Sequence, residues 1–423
     1  MTVDIDIKAD LTGEDSGSRQ ILSSKAILAI MACFSLMQGL PAFFFTLGLP
    51  AILRDHGASL DMVGLSYVVW LPLVFKWLWA PLFDKKSIAP FGSRRNWLRA
   101  LSILLAGAFA MVAIFPPEGS AWPLLTLSLV CAAIGATIQI VLASLLIESA
   151  TPQQRAVANS AGVAAMVLGG IIGAWLILEL NEQFSWVISV CSVSVGILLL
   201  SAPVWFLQWG GSLNKDTTES SGLHPIAVFR RFLRKPNIGW MLVAILCFGT
   251  TGGADALIPA ILVDKGYSPA AAGWLLGTIA TASIIPATGV VGFALRKFNV
   301  LSVTVAVYGL KAIVLAVLAL SVSLSPEIVA VLSVADFCLS GALTVVVWQL
   351  YMGFSSKEYA ATDYSVTTSL DAALRFFGGI AAGSLGQQFG YSFIFTAAAV
   401  TALGACLVCL FLRRSSRLIG QEL

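Results

Sequence analysis

One stretch of the chain is used twice, and no other feature constrains the fold as much. Residues 49–64 read LPAILRDHGASLDMVG and residues 258–273 read IPAILVDKGYSPAAAG. Set side by side at an offset of 209, they are identical at eight of sixteen positions, among them Pro50/Pro259, Asp55/Asp264, Gly57/Gly266 and Gly64/Gly273. A weaker echo keeps the same offset, with GGIIGAWL at 169–176 and GGIAAGSL at 378–385. A period of nearly half the 423 residues means two copies of one structural unit. In each copy an apolar run ends, a short polar turn follows and another apolar run begins, which is the pattern of a membrane helix hairpin.

The rest of the chain agrees. It is 58% hydrophobic and 11% charged, with a mean hydropathy of +0.90. About 20 apolar residues span a bilayer core as a helix. Breaks between the runs predict twelve helices, near 25–53, 60–83, 97–115, 121–148, 158–180, 186–208, 239–263, 270–294, 300–324, 327–353, 363–386 and 391–412. The runs are continuous and not alternating, which excludes a β-barrel. The expected fold is therefore all-α and integral to the membrane, in two pseudo-symmetric six-helix halves. The N-terminal half covers 25–208 and the C-terminal half 239–412, with a linker at 209–238 and tails at 1–24 and 413–423. Two related halves in a membrane chain point to a transporter with its site between them.

Charge fixes the orientation. With both termini inside, the alternate loops and tails hold all the Lys and Arg residues except Arg54 and Lys265 on the other face and Lys76, Lys311 and Arg375 inside helices. That asymmetry follows the positive-inside rule. The net charge of +3 is then topogenic and implies no nucleic-acid partner. The first twenty residues are polar and slightly acidic, as in a disordered cytoplasmic tail and unlike a signal peptide. The linker ends FRRFLRKP at 229–236, a basic amphipathic piece suited to an anionic inner leaflet.

Several function classes are disfavoured. No Gly-Lys dipeptide occurs, so there is no Walker A loop and no ATP drive. The two histidines, His56 and His224, lie in loops, so neither a metal site nor another cofactor is expected. No Ser-His-Asp arrangement can be assembled, and no catalytic residue is assigned. A membrane acyltransferase would need a buried base, and a non-transporting sensor would carry a soluble domain; neither feature is present in the sequence.

The basic loop after helix 2, with Asp84 at the helix end and Gly92, Arg94 and Arg95 beyond it, resembles the loop motif of the major facilitator superfamily. Here the insertion KKSIAPF separates the acid from the glycine. That departure, together with QGLP (38–41), LPAILRDHG (49–57), FKWLWAPLFD (75–84) and FGSRRNW (91–97), is similar to one branch of the superfamily. The branch comprises muropeptide permease, the acetyl-CoA transporters and the single-component ferric-siderophore permeases. TDYSV (362–366) leans toward the siderophore importers. The resemblance implies a proton-driven inner-membrane importer of a ferric siderophore, or of an anhydro-muropeptide. It also implies an outer-membrane receptor upstream and function as a monomer in the bilayer. Asp84, Arg94 and Arg95 take gating roles on this resemblance.

Charged groups inside a bilayer cost about 2.5–3.5 kcal/mol each on insertion scales, so each needs an offsetting partner. Lys311 and Asp336 lie on consecutive antiparallel helices at one depth, roughly 16 Å from the cytoplasmic side at 1.5 Å per residue, and are expected to form a structural ion pair. The resemblance implies that helices 1, 4, 7 and 10 line the cavity, where Gln38, Gln139, Asp255, Gln349 and Trp348 would contact substrate. Asp371 and Arg375 share a face at i, i+4. Helices 2 and 11 pack together in the superfamily, so Lys76 is expected to join Asp371 and Arg375 in one gating cluster, with protonation of Asp371 coupling the proton gradient to opening.

Overall fold

The computed structural model describes residues 23–49, 69–84, 93–116, 119–207, 230–235, 238–267, 269–320, 323–356 and 358–419. The first copy of the duplicated stretch, from Pro50 onward, lies outside them, as do the KKSIAPF insertion and the polar part of the linker.

The N-terminal half begins with α1 (Ser24–Phe43), capped by Ser23, whose hydroxyl accepts from the Ala26 N–H. Pro41 sits inside α1, which continues as a π turn over Phe44–Gly48. The short α2 (Leu71–Phe75) gives way to 3-10 turns at Lys76–Leu78 and Ala80–Phe83, where Pro81 removes a backbone donor. Then follow α3 (Arg94–Ala110), α4 (Ala121–Ser149), α5 (Pro152–Gln183) and α6 (Trp186–Leu200). The start of α5 is six residues earlier than expected. Thr151 and Gln154 form a capping box with Pro152 in the first turn, so the polar TPQQ segment opens the helix and does not precede it.

The C-terminal half repeats the order. α7 (Ile238–Gly253) loosens into a 3-10 segment at Ala254–Leu257 and resumes as Ile258–Asp264. α8 (Pro269–Trp274) passes through a π turn and runs on as Thr281–Lys297. Beyond it lie α9 (Val300–Leu318) and α10 (Pro326–Phe354). The final helical run, Ala360–Ile419, is two helices broken at Gly390, whose φ of 80° lies in the left-handed region that glycine tolerates. These are α11 (360–389) and α12 (391–419).

Ten helices among the described residues are long and apolar enough to cross a membrane. The broken α2 and the polar first half of α11, TDYSVTTSLD, fall short of that measure. That part of α11 is buried by protein along its length, so it needs little apolar surface of its own. Large apolar side chains such as Leu199, Val290, Val331 and Leu407 are exposed around the outside, as a lipid-facing surface requires.

In each half the fifth helix packs on the first through glycine. A Cβ on Gly39 would come within 2.2 Å of the Met166 carbonyl oxygen, and one on Gly169 within 2.2 Å of the Leu36 carbonyl oxygen. The same crossing in the second half sets Gly253 against Gly378, where a Cβ would meet backbone at 2.7 Å. The echo at 169 and 378 is therefore a helix-crossing repeat, and the glycine of QGLP is a packing glycine.

Across the halves, α5 meets α8 and α10, while α2 and α4 meet α11. Gln154 at the start of α5 donates to the Ser24 hydroxyl, so α1 and α5 begin at the same face. Arg94 and Arg95 also lie there, and it is termed the basic face.

Candidate functional site

The two halves are clasped at the basic face by a few polar contacts. The Asp84 carboxylate, at the end of the second helix, accepts the Ala361 N–H at 2.8 Å, the Thr362 N–H and the Thr362 hydroxyl. An acid from one half thus caps the N-terminus of α11 in the other, satisfying donors that a helix start leaves open. Burial pushes the Asp84 carboxyl up to about 7, against the opposing pull of these hydrogen bonds. Nearby, Ser369 donates to the Leu73 carbonyl at 3.0 Å.

A second contact closes the α5–α10 side. Asn159 Nδ2 donates to Gln349 Oε1 at 3.1 Å, and Gln349 Nε2 donates to the Pro152 carbonyl at 3.0 Å. Gln349 was expected among the groups that contact substrate. It lies in the last turns of α10 and is buried in the contact between halves.

Arg94 and Arg95 stay within the N-terminal half. Arg94 is buried and donates to Glu148 at 2.6 Å, to the Ser144 hydroxyl and to the Phe83 carbonyl. It therefore ties α3 and α4 to the end of the helix that presents Asp84. Arg95 donates to the Val204, Trp205 and Leu207 carbonyls, closing the short helix Ala202–Phe206.

Asp363 was not singled out from the sequence. Its fully buried carboxylate takes Arg231 at 2.8 Å, Lys235 at 2.5 Å and both the N–H and hydroxyl of Ser356. Arg231 lies 3.5 Å over the Tyr359 ring, and Phe232 is fully buried edge-on to Phe354. Burial pushes the Lys235 ammonium down, with Asp363 pulling it back up. The end of the linker, expected to lie on the leaflet, spends these charges on α11. Thr362 and Asp363 of the TDYSV segment are thus committed to packing. The only legible signal was an acid in the first turn of α11.

In the expected cluster with Asp371 and Arg375, Lys76 makes no direct ion pair with the acid. Lys76 is 2% exposed; it donates to Gln139 Oε1 at 3.2 Å and lies 5.7 Å over the Tyr364 ring. Among the described residues it has no ion pair. Asp371 and Arg375 pair with each other at 3.0 Å, and Arg375 packs on the bare backbone of Gly252. The depth argument holds for Lys76, but a glutamine on α4 reaches it first.

The remaining charges meet inside the C-terminal half. Lys311 Nζ lies 2.8 Å from Asp336 Oδ1, at one depth as the spacing required. It also lies 3.0 Å from Asp255 Oδ1 and donates to the Ser340 hydroxyl at 2.6 Å. Asp255, expected among the groups that contact substrate, is the second acid on this lysine, its side chain 22% exposed.

Gln38 and Gln139 line one pocket in the N-terminal half with Pro41, Phe45, Trp70 and Met166, having about 50 Å³ of free interior. Sites for drug-sized molecules run to roughly 300–1,000 Å³, so this pocket holds water-sized guests in the present state. Gln38 donates to the Phe34 carbonyl of its own helix. Trp348 packs partly buried against the core and does not line the pocket. Of the neighbouring aromatics, Phe44 and Phe45 are buried against Phe109, and Phe43 lies over Gly170.

Two helical halves, joined at one face by polar contacts and carrying buried charges along their facing helices, define a multi-pass membrane transporter. The chain belongs to the major facilitator superfamily: the family's sequence profile matches residues 27–379. It is 24% identical over 396 residues to the anhydromuropeptide permease of Escherichia coli K12, covering 90% of this chain and 79% of that protein. A putative transporter, AmpG 4, of Rickettsia conorii is 22% identical over 402 residues, covering 89% and 94%. An uncharacterized protein of Haemophilus influenzae is 28% identical over 172 residues, which span 41% of this chain and 40% of that protein. Among solved structures, the Escherichia coli fucose:proton symporter superposes with a TM-score of 0.70 at 12% identity, covering 92% of this chain and 98% of that one. An outward-facing bacterial homologue of the iron transporter ferroportin gives 0.69 at 14% identity, covering 92% and 99%. At these identities the structural likeness concerns the fold alone.

Proposed function

We propose that this protein is a proton-driven secondary importer of a ferric siderophore, working as a monomer in the inner membrane with both termini cytoplasmic. The observation that carries transport by alternating access is the clasp. The halves meet at the basic face through Asp84 on the start of α11 and through Gln349 on Asn159 and Pro152. Such contacts are few, polar and separable, so water can replace each bond when the halves part. A clasp of this kind holds the cytoplasmic side shut while the other side admits cargo.

The ferric-siderophore reading is supported by the resemblance of QGLP, LPAILRDHG and FKWLWAPLFD to the single-component permeases, with an outer-membrane receptor delivering the chelate to the periplasm. TDYSV no longer adds to it, because Thr362 and Asp363 are occupied in packing. A second reading, import of an anhydro-muropeptide, is favoured by the similarity to the Escherichia coli permease across 90% of this chain. The two are separated in a strain lacking both kinds of permease and expressing this chain. Radioiron-loaded siderophores and labelled anhydro-muropeptide are offered in turn. Accumulation of an iron chelate that an uncoupler abolishes is the expected result. Accumulation of the muropeptide alone overturns the siderophore reading in favour of the second.

A further inference from the structure

Lys311 cannot neutralise both carboxylates that touch it. Its ammonium contacts Asp336 Oδ1 at 2.8 Å and Asp255 Oδ1 at 3.0 Å. The Ser340 hydroxyl accepts from Lys311 and donates to Asp255 Oδ2 at 2.8 Å, so both Asp255 oxygens are met by donors. Asp336 is less well served. It is fully buried, Lys311 is its one cationic contact among the described residues, no donor among them reaches Oδ2, and its carboxyl lies against that of Asp255. One ammonium against two carboxylates leaves a negative charge among apolar side chains, which is the costliest group to bury. A metal cation does not fit as the counter-charge, because the Lys311 ammonium already occupies the place between the acids. A proton does fit.

The other ionisable groups on helices packed against α10 are engaged elsewhere. On α11, Asp371 and Arg375 close on each other. On α4, Glu148 is held by Arg94. Arg296 and Lys297 lie at the last turn of α8, and Arg155 in the first turn of α5 donates to the Ala150 carbonyl. Asp264, at the far end of the α7 run, accepts from Tyr391. On α9 the other titratable side chain is Tyr308, one turn before Lys311 and buried against Phe248.

We propose that Asp336 carries the proton that drives transport, and that Asp255 and Lys311 form the exchange device that loads and releases it. This rests on the reading that transport is proton-driven. In the state described here, Asp336 is a neutral acid and Lys311 is paired with Asp255. Asp255 stands on the 3-10 segment where α7 loosens between Gly253 and Ile258, a place where a helix can flex. It is also the member of the three with access to water. When α7 swings, Asp255 leaves Lys311 for water, and the freed ammonium stabilises an ionised Asp336. The O–H bond of Asp336 then breaks and its proton departs to solvent. Charge balances throughout: the cluster passes from neutral to one net negative charge as one proton is released, and the unpaired charge sits on the hydrated Asp255.

The test needs no cargo. Purified full-length protein in liposomes is titrated with pH while infrared difference spectra are recorded. The wild type should show a protonated-carboxyl C=O band that persists through neutral pH, disappears in Asp336→Asn, and survives in Asp84→Asn and Asp371→Asn. Asp336→Glu, which keeps an acid at the site, should move the band to the glutamic-acid frequency, whereas Asp255→Glu should leave it in place. A band that survives Asp336→Asn, or one that follows Asp255→Glu, overturns the assignment. With a transported ferric siderophore as probe, Asp336→Asn should lower uncoupler-sensitive accumulation at least tenfold and keep counterflow. Wild-type uptake indifferent to an uncoupler overturns the coupling role and the proton-driven reading together, while the infrared assignment of a proton on Asp336 stands or falls separately.

Discussion

Asp84, at the end of the second helix of the first half, accepts both the backbone N–H and the hydroxyl of Thr362, which lies at the start of α11 in the second half. A single carboxylate thus serves as a helix cap and as a joint between halves. Burial holds this carboxyl near 7, well above its ordinary value of 3.8. The closed clasp therefore binds a proton more tightly than the parted halves do. Its contribution to closure is fully present below the ordinary value and is lost as pH rises through about 7. Spin labels across the clasp should report widening between about pH 5 and about pH 8 in the wild type, and none in Asp84→Asn, which imitates the neutral acid. Asp84→Ala removes the acceptor and should weaken closure by about 1 kcal/mol at low pH, with the difference from the wild type shrinking above about pH 7.

Asp363 should prove to be the anchor of the linker. Its removal in Asp363→Asn leaves Arg231 and Lys235 without their carboxylate. Hydrogen bonds to charged groups are worth about 1.5–3 kcal/mol, so the docked segment should loosen by about 2 kcal/mol. Limited trypsin digestion reads this directly. Cleavage after Arg231 and Arg234 should accelerate at least tenfold while the helices stay intact, and an unchanged rate would show that Phe232 alone holds the segment.

The crossing of α1 and α5 admits no side chain. Gly169→Ala or Gly173→Ala would drive a methyl group to 2.2 or 2.5 Å from the carbonyl oxygens of Leu36 and Leu40. Overpacking of this kind costs typically about 1–3 kcal/mol, and it should appear as a lower Tm and lower membrane abundance. Gly107→Ala is the control, because nothing lies within 4 Å of its Cβ position. That variant should match or slightly exceed the wild type in Tm.

Gln349→Ala should change conformational balance and leave cargo affinity in the outward-open state intact. The substitution deletes bonds to Asn159 and Pro152, and a net loss of about 1 kcal/mol shifts closure roughly fivefold. In a background with the native cysteines replaced, a cysteine at Ser355 should label several-fold faster with a polar maleimide. Unchanged labelling alongside weakened cargo binding would return Gln349 to the substrate site.

The duplication at an offset of 209, the apolar runs and the skew of Lys and Arg determined the class of fold, because bilayer thickness and backbone hydrogen bonding leave a chain of this composition few options. The pairing of Lys311 with Asp336 was also legible, since consecutive antiparallel helices place residues at a common depth by simple counting. Depth was all that counting could supply. Lys76 has the depth of Asp371, yet it meets Gln139, because which helix faces a residue depends on rotation and crossing angle. Asp255 joined Lys311 through the loosened turn after Gly253, and Gln349 met Asn159 at a separation of 190 residues. Asp363 became an anchor when the linker folded back onto α11. Hydropathy records whether a residue sits among lipid or protein, and it carries no angle around the helix axis. The tertiary packing supplied that angle, and with it every partner of the buried charges that lies on a helix not adjacent in sequence.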